Sequence, residues 1–435
     1  MSHSNKAGDL LSGLEFFSIK LGLEQSRRLF ALAGNPDSKL KFIHVAGSNG
    51  KGSVCTLLDS ALRKAGFKTG FYSSPHLVDV RERFRVNGRI PSPSAYGRLL
   101  EEAGECLEAL RKEGGTPTYF EATTLMAALL FAKEKTDFVI WETGLGGRLD
   151  ATNIIAPLCS VISSISMEHA DRLGGTLGQI AFEKAGIIKP GRPVFCAKLQ
   201  PEAQEVVKRR AEELGSELLM PSSGIGAAQA SFGADGSPRQ SFSIDGRRIE
   251  LSLPGPCQRR NAALCLKVLE WLSPRFGFKL DDALAGFATA KWPARLQFIP
   301  ERNCVIDGAH NPEAAQELVS TIKELLPGER LQIIAGSFSD KDSAAVLRPL
   351  TEIASEFIFV HLDTGRPSRT PEEMSQLLCE LGYGCIPHRG AANVAEALSL
   401  ELGHGAIRRL VCGSLHLCGD ALAALGRSDD ATDLA

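Results

Sequence analysis

The stretch Gly47-Ser48-Asn49-Gly50-Lys51-Gly52-Ser53 follows the apolar run Phe42–Ala46 and opens a helical pattern that reaches Ala65. A strand, a glycine-rich loop and a helix in direct succession fit few folds, so this stretch constrains the chain most. Glycines let backbone N–H groups close around an anion with no Cβ in the way, the helix start adds a partial positive charge, and Lys51 adds a full one. The stretch therefore reads as a phosphate cradle. The common nucleotide-binding pattern has another glycine where this chain has Val45, so the loop is a shortened Gly-x-x-Gly-Lys-Gly-Ser form. Glycine turns between strands and helices are frequent; Lys51 and Ser53 at this spacing favour phosphate.

Thr69–Tyr72, Phe138–Trp141, Leu158–Ile165 and Pro193–Ala197 are further short apolar runs. The wholly apolar one at Phe138–Trp141 is what a parallel strand covered on both faces looks like. Between the runs lie helical patterns at Gly52–Ala65, Leu99–Arg111, Phe120–Lys133 and Gln179–Ile188, and Gly13–Ala33 ahead of the first strand reads as two helices broken at Gly22. This alternation predicts a doubly wound α/β sheet, whose ligands sit outside the carboxyl ends of the strands. Gly47–Ser53, Ser73-Ser74, Glu142 and His169 each follow a different predicted strand by a few residues, so they should converge on one rim.

A chain of 435 residues has room for two or three domains. Residues 215–256 turn Gly/Ser-rich, with alternating pieces at Ser241–Ile244 and Arg248–Leu253 that suggest hairpins or a small flap. A helix over Asn261–Trp271 follows. After Lys291–Arg295 a new series begins, with strands near Cys304–Ile306, Leu331–Ala335, Phe357–His361 and Leu410–Gly413. The expected division is a nucleotide-binding domain at 1–296, a smaller Rossmann-like α/β domain at 297–426 and a frayed tail at 427–435.

A net charge of -2 gives no footprint for nucleic acid or an anionic membrane, so any phosphate affinity must be local. The 11 cysteines are odd in number, lack a Cys-x-x-Cys pair and partly sit in apolar runs, which suits buried thiols in a reducing, cytoplasmic compartment rather than disulfides or zinc. A nucleoside triphosphate on the loop needs magnesium, a cation that prefers oxygen ligands, and the hydroxyls of Ser53 and Ser74 and the carboxylate of Glu142 are candidates. An acid directly after an apolar strand is costly to bury without a cation. By spacing alone His169 is more readily an ordinary histidine than a ligand. The Gly-rich turn before Asp150 could bring Arg148 and Asp150 to the rim or be mere backbone geometry, and Asp307 could be a solvated helix cap.

Together, His44–Ser53, Tyr72–Leu77, Glu142–Asn153, Glu183–Ile187, Trp292–Gln297 and Asp307–Pro312 resemble folylpolyglutamate synthase/dihydrofolate synthase, the folate branch of the Mur ligase superfamily. The resemblance covers nearly the whole chain. It implies a P-loop-containing ATPase domain followed by a glutamate ligase domain, with ATP bridging the two. The reaction implied is ligation of L-glutamate to dihydropteroate, to reduced folates, or to both, through an acyl phosphate. By position, Gly47–Ser53 (Gly47, Ser48, Asn49, Gly50, Lys51, Gly52, Ser53), Asn261, Arg295 and Asp307 match nucleotide-contacting residues. Ser74 and Glu142 match ligands of one Mg²⁺, and His169 joins Glu142 at a second. Lys184 matches a lysine carbamylated in the family. Lys51, Lys184 and His310 are the catalytic candidates.

On the acceptor side, Ile19, Lys20, Leu21, Thr118, Tyr119, Phe120, Glu121, Leu149, Asp150 and Ala151 match substrate-binding segments, although Tyr119 and Phe120 could simply start a buried helix. The resemblance further allows a monovalent cation and implies a monomer. Glu168 and Ala170 stand where the family pattern has Asp and Thr, which puts the geometry around His169 in question. Two rivals remain: a Mur-type ligase with a peptidoglycan-precursor acceptor, and a nucleotide-regulated binding protein without catalysis.

Overall fold

In the computed structural model, which describes residues 22–403, 405, 406 and 408–427, β1 (Phe42–Ala46) is the middle strand of a seven-stranded sheet. The sheet runs β3-β2-β4-β1-β5-β6-β7, with β2 (Thr69–Tyr72), β3 (Phe84–Val86), β4 (Phe138–Glu142), β5 (Cys159–Ile162), β6 (Val194–Cys196) and β7 (Leu218–Leu219). Only the edge strand β3 is antiparallel to its neighbour. From β1 the chain builds first to one side, through β2 and β4, and then crosses to β5 on the other. The carboxyl end of β1 is therefore the switch point, where a crevice opens between diverging connections.

Strand alternation sorts side chains between two cores. Phe71, Phe138 and Ile140 face one cluster with Leu57, Leu58 and Leu62 of α1 (Lys51–Lys64), while Tyr72, Val139 and Trp141 face another with Met126 and Phe131 of α2 (Tyr119–Lys133). Fully covered on both faces, β1 and β4 can be apolar throughout. One exception is informative. His44 on β1 is 0% exposed, its Nε2 lies 3.0 Å from Thr152 Oγ1, and its Nδ1 has no hydrogen-bond partner among the described residues.

Burial, with help from Lys189, pushes the His44 imidazole down to about 3. The unfolded chain would bind that proton near pH 6.5, so this group costs stability as pH falls from about 6.5 to about 3, by roughly 1.4 kcal/mol per unit. Replacing His44→Gln should flatten the loss of unfolding free energy between pH 6 and 4 by that slope, measured by denaturant titration; an unchanged slope would place the acid lability elsewhere.

The Gly/Ser-rich stretch adds β7 to the main sheet and then forms a three-stranded antiparallel sheet of β8 (Gln229–Phe232), β9 (Pro238–Ile244) and β10 (Arg247–Leu251). Its inner residues Phe242, Ile249 and Leu251 share a core with the long helix that follows. A second, six-stranded sheet has the order β11-β12-β16-β13-β14-β15, from Gln297–Ile299, Cys304–Ile306, Arg409–Cys412, Leu331–Ala335, Ala354–Val360 and His388–Ala391. All pairs in it are parallel except β11 with β12.

Differences from the sequence reading have local causes. The helix over Leu99–Arg111 starts earlier, at Pro93, because Ser92 caps it by accepting from Ala95 N at 3.2 Å. Strands β3, β11 and β15 were not expected; all are short edge strands with little alternation. Ile19, Lys20 and Leu21, the first of the two N-terminal helices expected before Gly22, and residues 428–435 lie outside the described residues.

Candidate active site between the two sheets

The loop after β1 is clamped to the end of β5. Ser48 N donates to Ser164 O at 2.8 Å and Asn49 N to Ser164 Oγ at 2.9 Å, while the Asn49 carbonyl accepts from Ser163 Oγ at 2.7 Å. Gly50, immediately before α1, has φ +82°, a left-handed conformation that glycine adopts without strain. Gly52 lies so close to the Trp292 ring that a Cβ would sit 2.6 Å from its Nε1. Lys51 arches back, donating from Nζ to Gly47 O at 2.7 Å and Ser48 O at 3.2 Å. Its ammonium thus already sits over the cradle.

The loop forms the floor of a cavity of about 860 Å³ that Ser74, Glu142, His169 and Lys184 also line. The predicted convergence on one rim is observed. Glu142 ends β4 at 4% exposure, and Ser74 N donates to its Oε2 at a long 3.4 Å. Burial pushes the carboxyl up to about 7, against the pull of Lys51. A buried acid this poorly satisfied is the kind of oxygen donor a hard cation completes. His169 has φ +45°, rare for a residue with a Cβ, at the start of the short helix Ala170–Leu173.

Lys184, on α3 (Leu177–Ala185), is 1% exposed and pairs with Glu168 Oε1 at 2.7 Å. Burial lowers its ammonium to about 8 despite that partner. For Glu168, burial acts upward, yet Lys184 and Lys51 hold it at about 2.

The opposite wall comes from the second sheet. Asp307, directly after β12, is half-buried; its Oδ2 accepts from Leu296 N at 2.8 Å and its Oδ1 from Ala309 N at 2.9 Å. It is not the helix cap: Asn311 caps α5 (Pro312–Leu325), with Oδ1 accepting from Ala314 N at 2.9 Å. Arg295 and His310 line the cavity too. Burial lowers the His310 imidazole to about 4, and its Nδ1 lies 2.8 Å from Gly308 O, so the neutral ring donates there and keeps a lone pair on Nε2. On α4 (Pro256–Phe276), Asn261 donates to Gln258 Oε1 at 3.0 Å, and Gln258 in turn donates to Ser53 Oγ at 3.1 Å.

Between the walls runs a stitched crossing. Trp292 packs against Phe71 at 5.3 Å, in the first domain's core, whereas Ala294 belongs to a core of the second sheet. Ala294 and Leu296 both have positive φ, and Gly308 N donates to Ala294 O at 2.8 Å.

The remaining candidates lie beside the cavity rather than in its lining. Thr118 and Glu121 form a capping box at the start of α2, and Glu121 Oε1 also accepts from Ser26 Oγ at 3.0 Å, so both of its oxygens are engaged. Tyr119 lies under the Arg83 guanidinium. Phe120, half-buried, presses on Gly144, where a Cβ would come within 2.5 Å of its ring. Asp150 is buried and holds the glycine turn by accepting from Gly144 N and Leu145 N at 3.0 and 2.8 Å; Leu149 and Ala151 flank it.

A Mur ligase middle domain matches residues 45–269, and a Mur ligase glutamate ligase domain matches residues 294–415. The dihydrofolate synthase/folylpolyglutamate synthase of Bacillus subtilis (strain 168) is 38% identical over 363 residues, 81% of this chain and 84% of that protein. The chain belongs to the folylpolyglutamate synthase/dihydrofolate synthase branch of the Mur ligases. The Escherichia coli (strain K12) member is 35% identical over 93% of this chain and 92% of its own length. Among solved structures, Mycobacterium tuberculosis folylpolyglutamate synthase complexed with ADP superposes with a TM-score of 0.88 at 27% identity, covering 98% of this chain and 99% of that one. An E. coli structure in complex with DHPP and ADP gives 0.80 at 32% identity, covering 98% and 97%.

Within this Mur ligase site, sequence reasoning missed the wall at Met220–Ser223 and Ala197–Gln200, and Lys341 and Arg366 on the second domain. No short motif marks them. It also missed the contact that seats Ser74. Leu77 and Val78, just after the Ser74-Pro75 pair, pack on a core of the second sheet, and a Cβ on Gly419 of α6 (Leu415–Ala424) would lie 2.2 Å from Leu77 O. Gly419→Ala should therefore displace this segment by about 1 Å and lower kcat on the order of 10²-fold. Steady-state kinetics and a thermal melt of the variant check this; full kcat would mean that the segment's seat is not needed.

Proposed function

We propose that the protein joins L-glutamate to dihydropteroate, and to the γ-carboxylate of reduced folates, with cleavage of ATP to ADP and phosphate. The observation that carries this reading is the facing of Glu142 and the phosphate loop, from one domain, by Arg295, Asp307 and His310, from the other, across one cavity. A nucleotide-regulated binding protein has no use for the buried Glu142 or the Glu168–Lys184 pair. The peptidoglycan alternative is disfavoured by the match to folate enzymes over nearly the whole chain. We divide the chain at Pro293, ahead of the expected 296/297, because Ala294 already packs in a core of the second sheet, and we take the working unit to be a monomer, one copy carrying both walls of the cavity. A cytoplasmic location is supported by the free state of all 11 cysteines. No helix among the described residues is long and apolar enough to cross a membrane.

The loop N–H groups and Lys51 would hold the β- and γ-phosphates, Lys51 exchanging its carbonyl partners for phosphate oxygens. Asn261, Arg295 and Asp307 would fix the nucleotide's other end. The residues present fit magnesium: Glu142 is a buried, under-satisfied carboxylate and Ser74 adjoins it, while His169 and a modified Lys184 would serve a second ion. Mg²⁺ held there would take much of its shell from phosphate and water. Bound there, magnesium would neutralise charge on the phosphoryl oxygens.

A carboxylate oxygen of the acceptor attacks the γ-phosphorus and ADP leaves; the glutamate amine then attacks the acyl carbon and phosphate leaves. The amine must lose a proton, and the neutral His310 in the cavity is suited to accept it. Lys184 at about 8 retains on the order of a tenth of its amine neutral at pH 7, the form that adds CO2 to give a carbamate and a proton. That product faces Glu168 as a second anion, so it needs a cation between the two. On the acceptor side, the half-buried Phe120 would stack on the heterocycle, with Thr118, Tyr119, Glu121 and Asp150 holding the structure around it.

Purified protein, ATP, Mg²⁺ and labelled glutamate should release ADP and form labelled product with dihydropteroate and with tetrahydrofolate. Product with only one acceptor would reduce the activity to that acceptor, and turnover with neither would overturn the folate assignment.

A further inference from the structure

Among the described residues, Asn49 is the one residue of the phosphate loop whose side chain hydrogen-bonds to the second domain. Its Nδ2 donates to Glu313 Oε2 at 2.5 Å, and its Oδ1 accepts from Asn311 Nδ2 at 2.9 Å. Asn311 in turn accepts from Ala314 N at 2.9 Å. The shorter hydrogen bonds run from the helix N–H to Asn311, from Asn311 to Asn49 and from Asn49 to Glu313 on the same helix, and Asn49 Nδ2 also makes a long 3.4 Å bond to Asn311 Oδ1. The carboxylate has no hydrogen to give, so it fixes which way Asn49 points, and Asn49 fixes Asn311. Reversing either amide would set donor against donor. The backbone of Asn49 is meanwhile clamped by Ser163 and Ser164, so the side chain has little freedom to swing elsewhere.

Glu313 begins a series along α5 that faces the first domain. Glu317 pairs with Arg260, and Glu324 with Arg259 at 2.7 Å, both arginines lying on α4 beside Asn261. Those two pairs join helix to helix. Of these three glutamates, Glu313 is the one that reaches the loop.

We propose that Glu313 is a positioning residue of the ligation: through Asn49 it sets the phosphate loop in register with the second domain, so that group transfer needs the contact while nucleotide binding does not. This rests on the ligase reading above. The loop's own N–H groups and Lys51 suffice to bind phosphate, but transfer requires the nucleotide, held on one domain, to meet groups carried by the other. A misplacement of about 1 Å is enough to cost on the order of 10²-fold.

The test compares Glu313→Gln, Glu313→Ala and Glu313→Lys. Glutamine keeps an oxygen that accepts from Asn49 and should retain kcat within about twofold. Alanine should lose about tenfold or more in kcat with the Kd for ADP and the melting temperature nearly unchanged, and lysine should lose more, because it turns Asn49 around. Asn49→Ala/Glu313→Ala should be no worse than Asn49→Ala. Equal kcat in all three variants, or a Kd for ADP that weakens in step with kcat, would overturn the proposal. So would a glutamine variant as poor as alanine. Fluorescence energy transfer between labels on the two domains, with AMPPCP bound, reads the register without turnover: the alanine variant should show a broader distance distribution than the parent. The same distribution would refute the contact even if neither folate acceptor proves to be a substrate, and failure of the parent to turn over would refute only the ligase reading.

Discussion

Glu142→Gln should lower kcat by about 10²–10³-fold or more while leaving the protein as stable as its parent, or more so. The amide is the same size and still accepts from Ser74 N, but it carries no charge for a cation. Removing an under-satisfied buried charge relieves a desolvation cost, which is why stability should not fall. Burial holds the parent carboxyl near 7 against about 4.5 unfolded, so the folded state binds the extra proton between those values. Parental stability should consequently decline as pH rises from about 4.5 to about 7, and the glutamine variant should lack that decline. ADP release and denaturant titration of both proteins test this. An active variant would remove Glu142 from the metal site; an inactive but markedly destabilised one would make it a structural anion.

Lys184→Ala should be the second large loss, and it should have two separable parts. One is stability: deleting the ammonium strands Glu168, 12% exposed, without its partner, at a cost of about 3–5 kcal/mol. The double variant Lys184→Ala/Glu168→Gln should recover most of that. The other part is activity, which the double variant should not recover. If the working form is a carbamate, a small carboxylate such as acetate should restore some turnover to Lys184→Ala, and CO2-free buffer should slow the parent. Rescue by methylammonium instead would show that the paired ammonium is the working form and that carbamylation is not used.

What could be read from the sequence follows how local the cause is. The phosphate loop is contiguous, and Glu142 closes a strand whose apolar run announces it, so both were legible at once. His169 and Lys184 gained their roles only from resemblance, because a histidine and a helical lysine carry no pattern of their own. The long helix at Pro256–Phe276 was expected to start at Asn261; its polar first turn, Gln258, Arg259 and Arg260, is spent on Ser53 and on the second domain's carboxylates rather than on a core, and so leaves no hydrophobic period. Thr118 and Glu121 show the reverse: expected from the resemblance to bind substrate, their side chains are engaged with the helix start as a capping box. The contact of Asn49 with Glu313 joins positions 264 apart, beyond any local pattern.

The crossing between the domains has a mechanical meaning. Trp292 is embedded in one half of the protein and Ala294 in the other, so Pro293 alone lies between two fixed points. Its ring already locks one of its two backbone torsions. The jaw formed by the two domains thus turns on a short pivot with three free backbone torsions, ψ of Trp292, ψ of Pro293 and φ of Ala294, and opening to release product would follow a restricted path.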